Sequence, residues 1–193
     1  MMISFLFVAI TTLSSVLGED NDVVFDEDGS PIKANVPYYI SFMTMDYGMW
    51  ICRMRFGSND PKSCPQQPVM FTYPPIPPTP VVFLLPSTVS DNIVRESAKL
   101  SIKFVNPLQC GESGIWRVVQ RSPPIDGEVV LNGTKLSNDS TFTIHTTNEY
   151  YMFRFGEGDR LTTISLSNDR GIQRLLSKRY SGEMEILFYP AKR

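Results

Sequence analysis

Histidine is nearly absent from this chain: His145 is alone among 193 residues. Most general bases and many metal sites use imidazole, so one histidine leaves little room for either. No Gly-x-Ser-x-Gly, His-Glu-x-x-His or phosphate-cradling glycine loop occurs. His145 sits in the alternating run Thr143-Ile144-His145-Thr146, where a surface or cross-strand role accounts for it. The chain reads as no enzyme, with no cofactor and no metal. A basic excess is missing as well: 18 Lys and Arg stand against 20 Asp and Glu, a formal net charge of −2. That excludes the clustered cationic face of a nucleic-acid-binding protein. After the first eighteen residues no apolar run is long enough to cross a bilayer, which takes about 20 residues, so no membrane partner is expected. No stretch repeats its apolar residues at a helical period, which excludes a helical body. Cysteine is scarce, and three of them leave one unpaired.

What is present reads as a leader followed by one β-rich domain. Met1 to Gly18 is apolar and uncharged, ends in small residues and is followed by Glu19-Asp20. That is the pattern of a secretory signal peptide, with a single domain over residues 19–193 and a secreted, extracellular or vacuolar destination. Short aromatic and β-branched runs then recur: Tyr38–Phe42, Val81–Leu85, Leu100–Phe104, Ile115–Val119, Phe142–Ile144, Tyr150–Phe155, Ile164–Leu166 and Met184–Tyr189. Gly, Pro, Asn and Asp clusters separate them, so the class is all-β, a barrel or a sandwich. An aromatic-led echo at Tyr38, Trp116 and Tyr150 hints at an internal repeat.

Three smaller features have plain readings. Proline occupies five of the seven positions from Pro74 to Pro80, so this stretch is an extended connector and no ladder strand. Asp26 and Asp28 beside Gly29 and Pro31 read as Asx-turn chemistry and no metal site. Asn132-Gly133-Thr134 and Asn138-Asp139-Ser140 are sequons, so Asn132 and Asn138 are candidate N-glycan sites on exposed loop.

Several motifs in order carry a resemblance. They are Val24-x-Asp26-x-x-Gly29-x-x-Ile32 closing on Tyr38-Tyr39-Ile40, then Cys64-Pro65, then Cys110 followed by Trp116, and late Gly171-Ile172-Gln173-Arg174-Leu175. Together they resemble the plant Kunitz-type, soybean trypsin inhibitor family, over Val23 to about Phe188. The resemblance implies a β-trefoil, twelve strands in three pseudo-repeats. It implies a disulfide between Cys64 and Cys110, leaving Cys52 as a buried thiol in its apolar setting. It further implies a secreted monomer that inhibits an endopeptidase, serine-type first, by a substrate-like exposed loop. That loop falls between Leu85 and Ile93, with Ser87, Thr88, Val89 and Ser90 as the inhibitory residues.

The departures from the family are as informative. Aligning on Pro86 puts Thr88 in the position that enters the protease's first specificity pocket; aligning back from Leu100–Phe104 puts Ser90 there. Neither is Arg or Lys, so the carboxylate of a trypsin-like pocket stays unpaired and trypsin is not the expected target. The family's loop-supporting Asn falls on Ala34, with Asn35 adjacent. The second family disulfide falls near Phe155 and Leu161, and Arg154–Arg160 is expected to be the more mobile region. The rival reading is a non-inhibitory secreted trefoil, a storage, lectin-like or miraculin-like recognition protein, because fold alone does not fix function.

Overall fold

The computed structural model describes residues 22–42, 48–55, 64, 66–72, 77–105, 111–120, 126–169, 172–179 and 184–191. The leader Met1 to Gly18 and Cys110 lie outside the described residues. Twelve strands are present among those described. In chain order they are β1 (Tyr38–Phe42), β2 (Met49–Met54), β3 (Gln67–Thr72), β4 (Val81–Leu84), β5 (Ser101–Phe104), β6 (Arg117–Gln120), β7 (Gly127–Val130), β8 (Phe142–Thr146), β9 (Tyr151–Phe155), β10 (Thr162–Asp169), β11 (Ile172–Lys178) and β12 (Ile186–Pro190).

Six of them close a barrel. β1 pairs with β4 and β12, β4 with β5, and β9 with both β8 and β12, all antiparallel. The ring is completed between Leu100 and Phe142, which exchange both backbone hydrogen bonds at 3.0 and 2.8 Å. The other six form hairpins, β2–β3, β6–β7 and β10–β11, and β11 pairs with both β3 and β7 to join them at one end. Closure leaves the barrel without free sheet edges, which is how an all-β chain avoids pairing with its neighbours. Across this cap the half-sheltered pair Arg174 and Glu128 bonds at 2.6 Å, tying β11 to β7.

Alternation explains the core. β4 and β8 bury every second side chain, as a strand with one face inward must. The inward residues Phe83, Phe104, Phe142, Phe153 and Phe188 are essentially inaccessible, as is Trp116. Trp116 touches three of these rings, with centroids 5.9 to 6.2 Å away. Polar residue Ser101 of β5 is fully buried, but its hydroxyl donates to Ser140 O at 2.9 Å and accepts Leu136 N–H at 2.8 Å. A satisfied hydroxyl of this kind avoids the cost of a stranded one.

Two expectations need correction. The repeat does begin with β1 at Tyr38 and β9 at Tyr151, but its middle copy begins with β5 at Ser101. Trp116 precedes β6 instead, fully buried in the core. The aromatic echo therefore marked two unlike positions. Strands β2, β3, β7 and β11 also went unread as strands, because they carry mixed polarity or begin beside Pro68 or Gly127. The proline connector is partly visible: Pro77–Pro80 is irregular, with Thr79 N–H on Ile51 O at 3.1 Å, while Pro74–Ile76 lies outside the described residues.

Candidate functional site

The N-terminal segment makes the first layer beneath the site. Asp26 Oδ1 accepts the N–H groups of Asp28 and Ser30 at 3.1 and 2.9 Å, an Asx turn that folds the chain back on itself. Ile32 N–H then reaches Val24 O at 2.8 Å. Residues 93–95 lie against this pair. Val94 N–H donates to Ile32 O at 2.9 Å and Val24 N–H to Val94 O at 3.1 Å, while Lys33 bridges Ile93 and Val23 bridges Arg95.

Above that layer the chain between β4 and β5 runs out into solvent. Leu85 is buried, and Val89 N–H donates to Pro86 O at 3.1 Å, closing a turn with exposed Ser87 and Thr88 at its tip. Val89 is half-buried and packs against the barrel core. Ser90, Asp91 and Asn92 are exposed. Asp91 Oδ1 accepts Ile93 N–H at 3.1 Å and its Oδ2 accepts the Arg95 guanidinium at 2.7 Å. The Arg95 bond, followed by the Ile93 N–H, holds the Asp91 carboxyl below the usual carboxylate range. Asn92 lies in the left-handed region at φ 56°, which Asn tolerates better than most residues, and its carbonyl accepts Ala34 N–H at 2.7 Å.

The expected inhibitory residues are thus neighbours with unlike settings: Ser87, Thr88 and Ser90 face solvent, and Val89 is anchored. Ala34 is buried and supports the loop through its backbone alone. Asn35 beside it is left-handed at φ 62° and donates its N–H to Phe83 O at 3.0 Å, at the root of the loop. Sequence reasoning did not single out Asp91 and Arg95. Their spacing of four is a pairing signal on a helix but carries none in a loop.

The remaining expected sites are placed as follows. Cys64 is exposed and disulfide-bonded, while its expected partner Cys110 lies outside the described residues. Cys52 is a free, buried thiol pushed up to about 12 by burial, with Val69 O 3.7 Å from its sulfur. Both Asn132 and Asn138 are exposed; Thr134 of the first sequon is exposed and Ser140 of the second is buried. The connection from β9 to β10 lacks cysteine and is closed otherwise. Gly156 at φ 90° brings Arg160 O to 2.5 Å from where a Cβ would be, and Arg179 donates to Asp159 O at 3.0 Å.

His145 has Thr143 Oγ1 at 3.0 Å from one ring nitrogen and Ser97 Oγ at 3.5 Å from the other. Among the described residues no three His, Cys, Asp or Glu side chains gather as a metal site. A depression of about 420 Å³ near Gln120, Arg160 and Arg179 lies among other strands than those rooting the loop.

Comparison with other proteins accords with this geometry. The sequence profile of the legume Kunitz family, described as trypsin and protease inhibitor, matches residues 24–188. "Kunitz trypsin inhibitor 6" of Arabidopsis thaliana is 66% identical over 98% of this chain and 93% of its own length. "Kunitz trypsin inhibitor 7" of the same plant is 64% identical over 98% of this chain and 94% of its own. Among solved structures, the Kunitz-type cysteine protease inhibitor PCPI-3 from potato superposes with a TM-score of 0.71 at 21% identity, covering 90% of this chain and 99% of that one. A likeness at that identity carries the β-trefoil fold.

Proposed function

We propose that this chain, which belongs to the legume Kunitz family of trypsin and protease inhibitors, is a secreted inhibitor that blocks an endopeptidase with the loop Pro86–Asn92. It acts by occupying a cleft and catalyses nothing itself. The carrying observation is that an exposed segment is fastened on both sides: by the Pro86–Val89 turn and Val89's packing before it, and by the Ala34–Asn92 bond after it. A loop held in shape before binding loses little freedom on binding, which is what a substrate-like inhibitor needs.

Ser90 is the residue we place in the protease's first specificity pocket. A bound segment lies extended in the cleft, and Thr88 is central to a hydrogen-bonded turn that would have to open. Ser90 lies past that turn and is exposed. Its side chain is too short to reach the carboxylate at the floor of a trypsin-like pocket. This reading ranks proteases with a small or shallow pocket, elastase-like or subtilisin-like, ahead of trypsin, even though the two Arabidopsis relatives bear trypsin in their names. We further assign Met1 to Gly18 as an export leader, with glycans at Asn132 and Asn138.

The test is a panel of trypsin, chymotrypsin, elastase, subtilisin and papain against the mature chain, the Ser90→Arg variant and the Thr88→Arg variant. Inhibition of elastase or subtilisin by the parent, with trypsin inhibition gained by Ser90→Arg and not by Thr88→Arg, is the expected pattern. Nanomolar trypsin inhibition by the parent would overturn the pocket assignment. No inhibition by any of the three proteins would favour a non-inhibitory trefoil.

A further inference from the structure

We propose that the Asp91 carboxylate, fixed by Arg95 and by Ile93 N–H, is a positioning residue that lets the peptide bond after Ser90 survive contact with a protease. This rests on the reading of Pro86–Asn92 as the inhibitory loop. A serine or cysteine protease that attacks this bond joins its nucleophile to the Ser90 carbonyl carbon. The Ser90 C–Asp91 N bond breaks, and the freed Asp91 amine takes up the proton that the nucleophile gave to its base. The reverse step reforms the bond only while that amine stays in place. Diffusion of the amine away leaves the acyl group to water, and the inhibitor is spent.

Both sides of this bond are tethered independently. On the acyl side, Val89 packs on the core and its N–H bonds Pro86 O at 3.1 Å. On the amine side, residues 92–94 are tied to residues 32–34 through Asn92 O, the Ile93 bridge and Val94 N–H. Asp91 is the one residue between that ladder and the bond. Its carboxylate accepts Ile93 N–H at 3.1 Å and the Arg95 guanidinium at 2.7 Å, so the leaving main-chain amine belongs to a residue whose side chain is anchored two and four residues downstream. Ala34, on the neighbouring segment, has only a methyl group and cannot reach across to do the same. Effective concentration does the rest: an amine held within bonding distance outcompetes solvent for the acyl carbon.

The experiment uses the full mature chain carrying Ser90→Arg, so that trypsin reads the loop at one defined bond. Cleavage after position 90 is followed by mass spectrometry under excess inhibitor, alongside the inhibition constant and the thermal midpoint. Adding Arg95→Met, which leaves Asp91 itself in contact with the protease, is expected to speed cleavage about threefold to fivefold, the scale of one exposed ion pair. Adding Asp91→Ala does the same or more, and the Asp91→Ala/Arg95→Met pair is cut no faster than Asp91→Ala alone, because both remove one interaction. Thermal midpoints stay within about two degrees, the scale expected for an exposed pair. Unchanged cleavage in both variants, with trypsin still inhibited by Ser90→Arg, overturns this proposal and leaves the loop assignment standing. Absence of trypsin inhibition by Ser90→Arg itself overturns both.

Discussion

Phe83 stands edge-on to Phe188, with ring centroids 5.5 Å apart and planes at 87°. This contact joins β4, from which the exposed loop leaves, to β12, the strand that closes the barrel against β1 and β9. Phe83 also contacts Tyr38 and Phe153, and its carbonyl holds Asn35. One residue therefore supports both, the barrel through its ring and the loop's root through its carbonyl.

Replacing Phe83 with Ala should cost about 3–5 kcal/mol, the usual scale for emptying an aromatic site in a core. Phe83→Leu keeps most of the volume and should cost less than half as much. Urea unfolding followed by tryptophan fluorescence reads both. If Phe83→Ala lost under 1 kcal/mol, the ring would not be the junction that its contacts suggest.

Asn35 and Asn92 sit at φ 62° and 56° on either side of the Ala34–Asn92 bond. Asn tolerates the left-handed region, and a β-branched residue does not. Asn35→Val should destabilise by about 1–2 kcal/mol, whereas Asn35→Gly should fall within about 0.5 kcal/mol of the parent. Asn92→Val should show the same cost and should weaken protease binding as well, because Asn92 lies in the loop. A matching loss for Gly and Val would mean that the side chain matters and the backbone angle does not.

Much of this was legible in residue order, for a physical reason. Strands such as Tyr38–Phe42 and Leu100–Phe104 announce themselves because alternating burial imposes a two-residue period. By that measure β7 is silent: Gly127-Glu128-Val129-Val130 has too few apolar residues, and its inward position at 127 is a glycine, where a Cβ would fall 2.4 Å from Val118 Cγ1. The loop's position was legible from its flanking strands. Its internal geometry was not, since Val89's inward packing, the Pro86–Val89 turn and the Asp91–Arg95 pair depend on where the backbone turns. Local residue identity does not encode that. Ala34 shows the limit most clearly: the letter announced a lost side chain, and the fold keeps a backbone hydrogen bond there.

Cys52 should behave as an inert thiol. Burial pushes it up to about 12, so at pH 8 only about one part in ten thousand is thiolate, the reactive form. Native protein should leave Cys52 unlabelled by iodoacetamide over hours, and urea should release it in step with unfolding. Cys52→Ala, which trims a small side chain packed with Met54 and Val69, should cost about 1 kcal/mol. Rapid labelling at native conditions would show that β2 opens locally.

His145 supplies a pH dependence with a definite sign. Burial, and then the charge of Arg154 on the facing strand β9, lower its affinity for a proton below that of an ordinary histidine, while Glu96 works the other way. The unfolded chain therefore takes up the proton near the ordinary value of 6.5, and the folded chain only at lower pH. Stability from this group is complete above 6.5 and drains away as pH falls from there toward the lowered folded value. The loss reaches the segment that follows the loop, because Ser97 Oγ lies 3.5 Å from the ring and Ser97 N–H holds Ile144 O at 2.8 Å. Urea midpoints at pH 7.5, 6.5 and 5.5 should fall more steeply for the parent than for His145→Gln. Subtracting the two profiles cancels the carboxylates common to both proteins. Parallel profiles would mean that His145 titrates alike in the folded and unfolded chains, and that Arg154 and burial leave its proton untouched.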